Sequence, residues 1–303
     1  MGRVIIVGSI NQDITVNVHR FPEPGETLSG KSVHYRLGGK GSNQSAAAAH
    51  GGVETHFIGR VGNDPNGPSL RDELASHGVD VSALLIDSTT TTGIAFINVA
   101  DSGENTIILD AGANWKITSQ QARDAVDLTD QDIVVLQGEI PPTVNEEIIA
   151  WAHESDARVV LNLAPVYDIA PQVLSTVDVL VVNESEAGLV LGTPAPRDRD
   201  SAVTAARELV DLGITHALIT LGKNGSVWAG PEGAELVDAL DFGPVVDTTG
   251  AGDASVGVLA AALAKGHDFP TAVREGMRAG STAVLSAGAA ASYHAITPVP
   301  DVK

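Results

Sequence analysis

Short β-branched apolar runs alternate along the chain with longer stretches whose apolar residues recur at helical spacing. Val4–Val7, His56–Ile58, Ile133–Leu136, Val159–Leu161, Val177–Val182 and Ala217–Leu221 read as strands. The stretches Ser42–His50, Ser69–His77, Thr118–Asp127, Val144–Glu154, Ser201–Leu212, Ala254–Lys265 and Thr271–Ser286 read as helices. Strands without polar alternation are buried on both faces, and interleaved helices supply the cover. The pattern predicts one α/β domain over residues 1–303, a three-layer arrangement with a central, mostly parallel sheet flanked by helices.

Two regions break the rhythm. Residues 14–19 and 27–36 alternate apolar and polar, as do residues 93–99 and 105–109, the last two joined by a turn signal at Asp101–Gly103. They predict a small inserted sheet with one wet face, formed by roughly 12–36 and 91–112. It reads either as a lid over a site or as a dimerisation surface.

Composition narrows the chemistry. With 38 acidic against 18 basic side chains the net charge is −20, which opposes binding to nucleic acid or an anionic membrane. The absence of cysteine excludes disulfides, thiolate metal sites and a cysteine nucleophile. No apolar run is long enough to span a bilayer, and Met1-Gly-Arg-Val-Ile-Ile-Val-Gly reads as a first strand rather than a leader. The expectation is a soluble cytoplasmic protein.

The strongest local signal is Val246-Asp-Thr-Thr-Gly-Ala-Gly-Asp-Ala-Ser-Val-Gly257, running into a helix. Glycines at a helix mouth let backbone N–H groups converge on an anion, and the helix dipole adds to the attraction. Asp253 in the first turn has two readings. It can serve its own helix, or it can accept a hydroxyl proton during phosphoryl transfer, which explains a carboxylate placed beside a phosphate. A second segment, Gly38-Gly-Lys-Gly-Ser-Asn-Gln44, offers Lys40 and Asn43 as donors, or is a glycine-rich cap on an alanine-rich helix.

Gly25-Glu-Thr-Leu-Ser-Gly-Lys-Ser32 satisfies the phosphate-loop pattern, but strand-like Val33-His-Tyr-Arg follows it where that motif needs a helix. It reads as a coincidence. Asn11, Asp13, Glu139 and Asn183-Glu-Ser-Glu186 follow predicted strands, where ligands meet parallel sheets, although each singly could be a cap or a turn. The nine histidines show no H-x-x-x-H spacing, which speaks against catalytic zinc, and G-x-G-x-x-G is absent.

In order and spacing these blocks resemble the ribokinase/phosphofructokinase-B sugar kinases over nearly the whole chain. The matching blocks are Ser9–Asp13, Pro22–Thr27, Gly38–Gln44, Gly103–Asn105 with Gly112–Asn114, Gln137–Pro141, Asn162–Pro165, Asn183–Glu186, Thr220–Gly225 and Asp247–Asp253. The resemblance implies an ATP-dependent kinase acting on the terminal hydroxyl of a pentose, D-ribose to ribose 5-phosphate. Kinases of the same fold for a nucleoside, 2-deoxyribose, fructose or a keto-deoxy sugar acid are the alternative, with a non-catalytic sugar or nucleotide sensor behind them. It makes Asp253 the general base and Gly250, Ala251 and Gly252 the anion hole. Asn11, Asp13, Gly39, Lys40, Asn43 and Glu139 would hold the sugar. Asn183 and Glu186 would organise Mg²⁺ and phosphate, Glu186 through water, while Thr220, Gly222 and Gly225 line the nucleotide site. K⁺ would sit behind the anion hole on Asp247, Thr249, Ala283, Ser286, Gly288 and Ser292. The inserted sheet would be the lid, through which a homodimer forms. Ser255, Met277 and Ala289-Ala-Ala-Ser292 depart from the family pattern near the nucleotide and cation loops.

Overall fold

In a computed structural model, which describes residues 2–302, alternate side chains of each buried strand enter opposite cores. Val4, Ile6, Ile133, Val135, Val179 and Val181 go to one core, and Ile5, Val7, Val134, Leu136, Leu180 and Val182 to the other. That is the period of two expressed in a sheet with no wet face.

In chain order the strands are β1 (Val4–Val7), β2 (Asn11–Val18), β3 (Ser32–Gly38), β4 (Thr55–Gly62), β5 (Leu84–Asp87), β6 (Gly93–Ala100), β7 (Asn105–Asp110), β8 (Ile133–Gln137), β9 (Arg158–Asn162), β10 (Val179–Asn183), β11 (His216–Thr220), β12 (Ser226–Gly230) and β13 (Gly233–Val237). Nine of them form the central sheet in the order β13-β12-β11-β10-β9-β8-β1-β4-β5. It is parallel from β5 to β11, and β12 and β13 add antiparallel at one edge. All six strands expected from apolar runs lie within it. The three that sequence pattern missed, β5, β12 and β13, are the two edges and an edge's neighbour. β5 (Leu-Leu-Ile-Asp) is only four residues and mostly open to water, and β13 (Gly-Ala-Glu-Leu-Val) mixes polar and apolar residues. β12 (Ser-Val-Trp-Ala-Gly) breaks its apolar run with small ones, so none of these strands gives a long β-branched run.

The expected second sheet is present, in the order β3-β2-β6-β7. Its outer strands pair antiparallel and its central pair, β2 with β6, is parallel. In register across it lie Tyr35, Ile14, Phe96 and Ile108. Tyr35 and Ile108 are each 68% exposed and Phe96 is 45% exposed, an apolar row on an open face. The phosphate-loop look-alike runs into β3, and Lys31 pairs with Asp101 of the β6–β7 hairpin at 2.5 Å.

The helices Lys40–His50, Ala251–Ala264 and Phe269–Ala283 contribute to the first core, and Pro142–Glu154 and Arg199–Asp211 to the second. The helix expected from Thr271 begins at Phe269 behind the Asp268 cap and ends at Ala283. A helix over Glu184–Leu191, absent from the sequence reading, starts at a capping box built by Asn183 and Glu186. Among the described residues no helix is long and apolar enough to cross a membrane.

Candidate active site

Two helices on the same face of the sheet approach unusually closely. A Cβ at Gly257 would stand 2.4 Å from the Gln44 carbonyl and 2.7 Å from the Ala47 Cβ, so glycine is what permits the contact. The close approach brings Asn43 and Gln44, in the first turns of one helix, onto Asp253 in the first turn of the other. Asn43 Nδ2 donates to Asp253 Oδ2 at 3.0 Å, and Gln44 Nε2 donates to Oδ1 at 3.1 Å. Gln44 also donates to Asn162 Oδ1 at 3.0 Å and accepts from Gln137 Nε2 at 2.9 Å. Gln137 and Asn162 are register partners at the carboxyl ends of β8 and β9. Asp253 is 8% exposed, and its bonds come from a neighbouring helix rather than its own. A carboxylate serving only its own helix end has no need of that amide network.

Beside it, Gly250 caps the helix with φ of 76°. A Cβ there would lie 2.5 Å from the Ala289 Cβ and 2.7 Å from Tyr293 Oη, so both conformation and space demand glycine. Tyr293, fully buried, donates its hydroxyl to the Gly250 carbonyl at 2.7 Å. Burial, then the charge of Asp253, raises the Tyr293 phenol well above its usual range and keeps it a donor. At Gly252 a Cβ would meet only open space. The first-turn N–H groups of a helix have no intrahelical acceptor, so an anion here finds donors and the positive dipole end together.

Two cavities adjoin this turn. One of about 640 Å³ is lined by Gly222, Gly225, Ser255 and Met277 among others, and one of about 160 Å³ by Lys40, Asn162, Asn183, Glu186 and Asp253. Thr220 and Gly252 line both, so the spaces meet at the glycine turn. The family departures Ser255 and Met277 both face the larger one.

Acidic groups converge on the other side of Asp253. Glu139 Oε2 accepts from Ser9 Oγ at 2.5 Å and from the Lys40 N–H at 3.0 Å. Burial, then the charges of Glu139 and Asp253, push the Asp13 carboxyl up to about 7. Burial works to lower the Lys40 ammonium, but Asp253, Glu139 and Glu186 outweigh it and hold the group above its ordinary value. Asn11 is buried, its Oδ1 accepting from Asn114 Nδ2 at 2.7 Å, and Asn114 also clamps both backbone groups of Ile10. Gly39 caps the helix that begins at Lys40.

Asn183 and Glu186 engage each other. The Asn183 N–H donates to Glu186 Oε2 at 2.8 Å and the Glu186 N–H to Asn183 Oδ1 at 2.9 Å. Burial raises the Glu186 carboxyl, against the Asn183 N–H and the Lys40 charge. Behind the glycine turn, Asp247 accepts from the N–H and hydroxyl of Thr249 at 2.9 and 2.7 Å and from the Gly288 N–H at 2.9 Å. Burial works to raise its carboxyl, but those donors hold it below the usual range. Asp247, Thr249 and Gly288 are thus together. Ser292 turns its hydroxyl to the Ala289 carbonyl at 2.8 Å, Ala283 ends its helix, and Ser286 is exposed.

Sequence reasoning assigned no role to the residues that hold the site: Ser9, Gln44, Asn114, Asn162 and Tyr293. The first four fall within matched motif blocks, which was their only signal. Tyr293 lies beyond any block.

The pfkB family carbohydrate kinases match residues 1–296 of the chain. A ribokinase of Haemophilus influenzae is 35% identical over 288 residues, 95% of this chain and 94% of its own length. A Staphylococcus aureus ribokinase is 33% identical, with 99% of each chain covered. The structure of Arabidopsis thaliana ribokinase complexed with ribose and ATP superposes with a TM-score of 0.87 at 29% identity, over 99% of this chain and 97% of that one.

Proposed function

Because the chain belongs to the pfkB family of carbohydrate kinases, and is therefore a phosphotransferase acting on a sugar hydroxyl, we propose that it transfers the γ-phosphoryl group of ATP to the terminal hydroxyl of D-ribose. The observation that carries this reading is Asp253, held by Asn43 and Gln44, where two cavities meet at a glycine turn. The larger cavity takes the nucleotide along Thr220, Gly222 and Gly225. The sugar lies across Asp253 with its hydroxyls on Asn11, Asp13, Gly39, Lys40, Asn43 and Glu139.

Asp253 takes the proton from the sugar hydroxyl as that oxygen bonds to the γ-phosphorus. The bond from phosphorus to the bridging oxygen breaks, and ADP leaves with the electron pair. N–H groups at Gly250, Ala251 and Gly252 grip the charge on the transferring group, and such stabilisation with positioning supplies most of the rate. The small sheet of β2, β3, β6 and β7 closes over the sugar as a lid and keeps water from competing as acceptor. Its open apolar row supports pairing of two lids into a homodimer. Light scattering on the full chain should give twice the chain mass, and a monomer at micromolar concentration would exclude it.

Asn183 and Glu186, one amide and one carboxylate beside the smaller cavity, suit Mg²⁺, which keeps most of its waters. Held there, Mg²⁺ would supply charge neutralisation for the phosphate chain. Asp247 and Thr249, held together with Gly288 behind the glycine turn, offer oxygen ligands of the kind K⁺ takes, and oxygens of Ala283, Ser286, Gly288 and Ser292 would complete the set.

The test is ADP formation across ribose, 2-deoxyribose, fructose, a nucleoside and a keto-deoxy acid. Ribose should rank first, and ribose at the bottom would end the substrate assignment. Asp253→Asn should cut turnover at least about 10²-fold with ligand affinity held within about tenfold. Unchanged turnover would remove Asp253 from its role.

A further inference from the structure

Three histidines far apart in sequence meet at the end of the Lys40–His50 helix away from the catalytic turn. His50 is that helix's last residue, His77 caps the end of the helix Asn66–Ser76, and His294 lies in the 3₁₀ turn Ala290–Ala295. One ring nitrogen from each lies within 4.8 Å of the other two, and His50 Nε2 is 3.1 Å from His77 Nδ1. The rings of His77 and His294 stack at 5.3 Å, and His50 stands edge-on to both.

We propose that His50, His77 and His294 form a binding site for a divalent transition-metal ion of the zinc type, separate from the phosphoryl-transfer centre. A tetrahedral Zn²⁺ with bonds of about 2.0–2.1 Å spaces its nitrogen ligands about 3.3 Å apart. One pair already stands near that separation, and the nitrogen of the exposed His294 lies within 4.8 Å of both. An all-imidazole set suits zinc-like ions and offers nothing to Mg²⁺ or K⁺, which take oxygen. Exposure of His294 leaves the fourth position to water. Two of the three ligands stand at helix C-termini, whose dipoles favour a cation.

The position carries a consequence. His294 follows Tyr293, whose hydroxyl holds the Gly250 carbonyl, and His50 ends the helix that begins with Lys40. The ion therefore ties together the ends of elements whose other parts build the anion hole and the sugar pocket.

The experiment uses the full chain without an affinity tag, stripped with EDTA and titrated with Co²⁺ and then Zn²⁺. One equivalent of Co²⁺ should bind with a tetrahedral visible spectrum that Zn²⁺ abolishes, and Zn²⁺ should raise the melting temperature. His294→Ala, at an exposed position, should lose at least about 100-fold in affinity, since losing even a partner that only hydrogen-bonds to a metal ligand costs about 10- to 100-fold. No saturable equivalent in the parent chain, or His294→Ala binding as tightly as the parent, overturns the proposal. Should that variant fold poorly, ring-nitrogen NMR of the parent chain decides: Zn²⁺ must shift one nitrogen on each of the three rings, and a shift on fewer refutes the site.

Discussion

Replacing Asp13 by Asn should make the sugar-free protein more stable at neutral pH while weakening its hold on the sugar. Folding moves the Asp13 carboxyl from 3.8 to about 7, through burial first and then the charges of Glu139 and Asp253. Between those values the folded state holds a proton that the unfolded chain has released. Stability therefore falls as pH rises through that window, and the cost is complete above it. Three pKa units at about 1.36 kcal/mol each set a ceiling of about 4 kcal/mol. Partial exposure and the sharing of repulsion among three carboxylates bring the expected cost to roughly 2 kcal/mol. Asn keeps the shape and removes the charge, so Asp13→Asn should melt roughly 4 °C higher at about pH 8 but only roughly 1–2 °C higher at about pH 5, where about a third of the cost has set in. In saturating ribose that gain should shrink or vanish, since losing a hydrogen bond to a charged group costs about 1.5–3 kcal/mol of binding. An equal gain at both pH values, or a loss at pH 8, would refute the claim that three crowded acids strain the empty site.

The two glycines of the anion turn should separate cleanly. Gly250→Ala, with φ of 76° and the Ala289 Cβ 2.5 Å from the new methyl, should lose about 2 kcal/mol or more by denaturant melt. Gly252→Ala, facing open space in a helix, should gain about 0.5–1 kcal/mol yet lose at least about tenfold in kcat/KM for ATP, because the methyl would intrude on the space the proposed reading gives to the phosphate. Lys31→Ala should keep turnover within about twofold, since it removes only an exposed pair with Asp101; abolished activity would revive the phosphate-loop reading. Initial rates in K⁺ should exceed those in Na⁺ or Tris, and equal rates would count against a cation bound at Asp247.

The central sheet was legible because burial on both faces forces unbroken apolar runs, and the small sheet because one wet face forces alternation. Edge strands β5 and β13 escaped because four or five residues with one side of the ladder open to water are too few to make either pattern distinct. The glycine turn at Gly250–Gly252 was legible where it meets a helix, since few residue types tolerate that geometry. The supports were not, because an amide such as Gln44 or a phenol such as Tyr293 carries no signature until its partner is known.

Local pattern alone thus determined which segments are strands, which turn can receive an anion, and which carboxylate stands beside it. Those properties depend on neighbours a few positions away, and such neighbours are fixed in the chain itself. Only the tertiary structure decided that Gln137, Gln44, Asn162 and Asp253 form one network, that the charges of Glu139 and Asp253 bear on Asp13, and that His50, His77 and His294 converge. Each of those depends on contacts between residues tens to hundreds of positions apart, and packing across the sheet rather than spacing along the chain sets them.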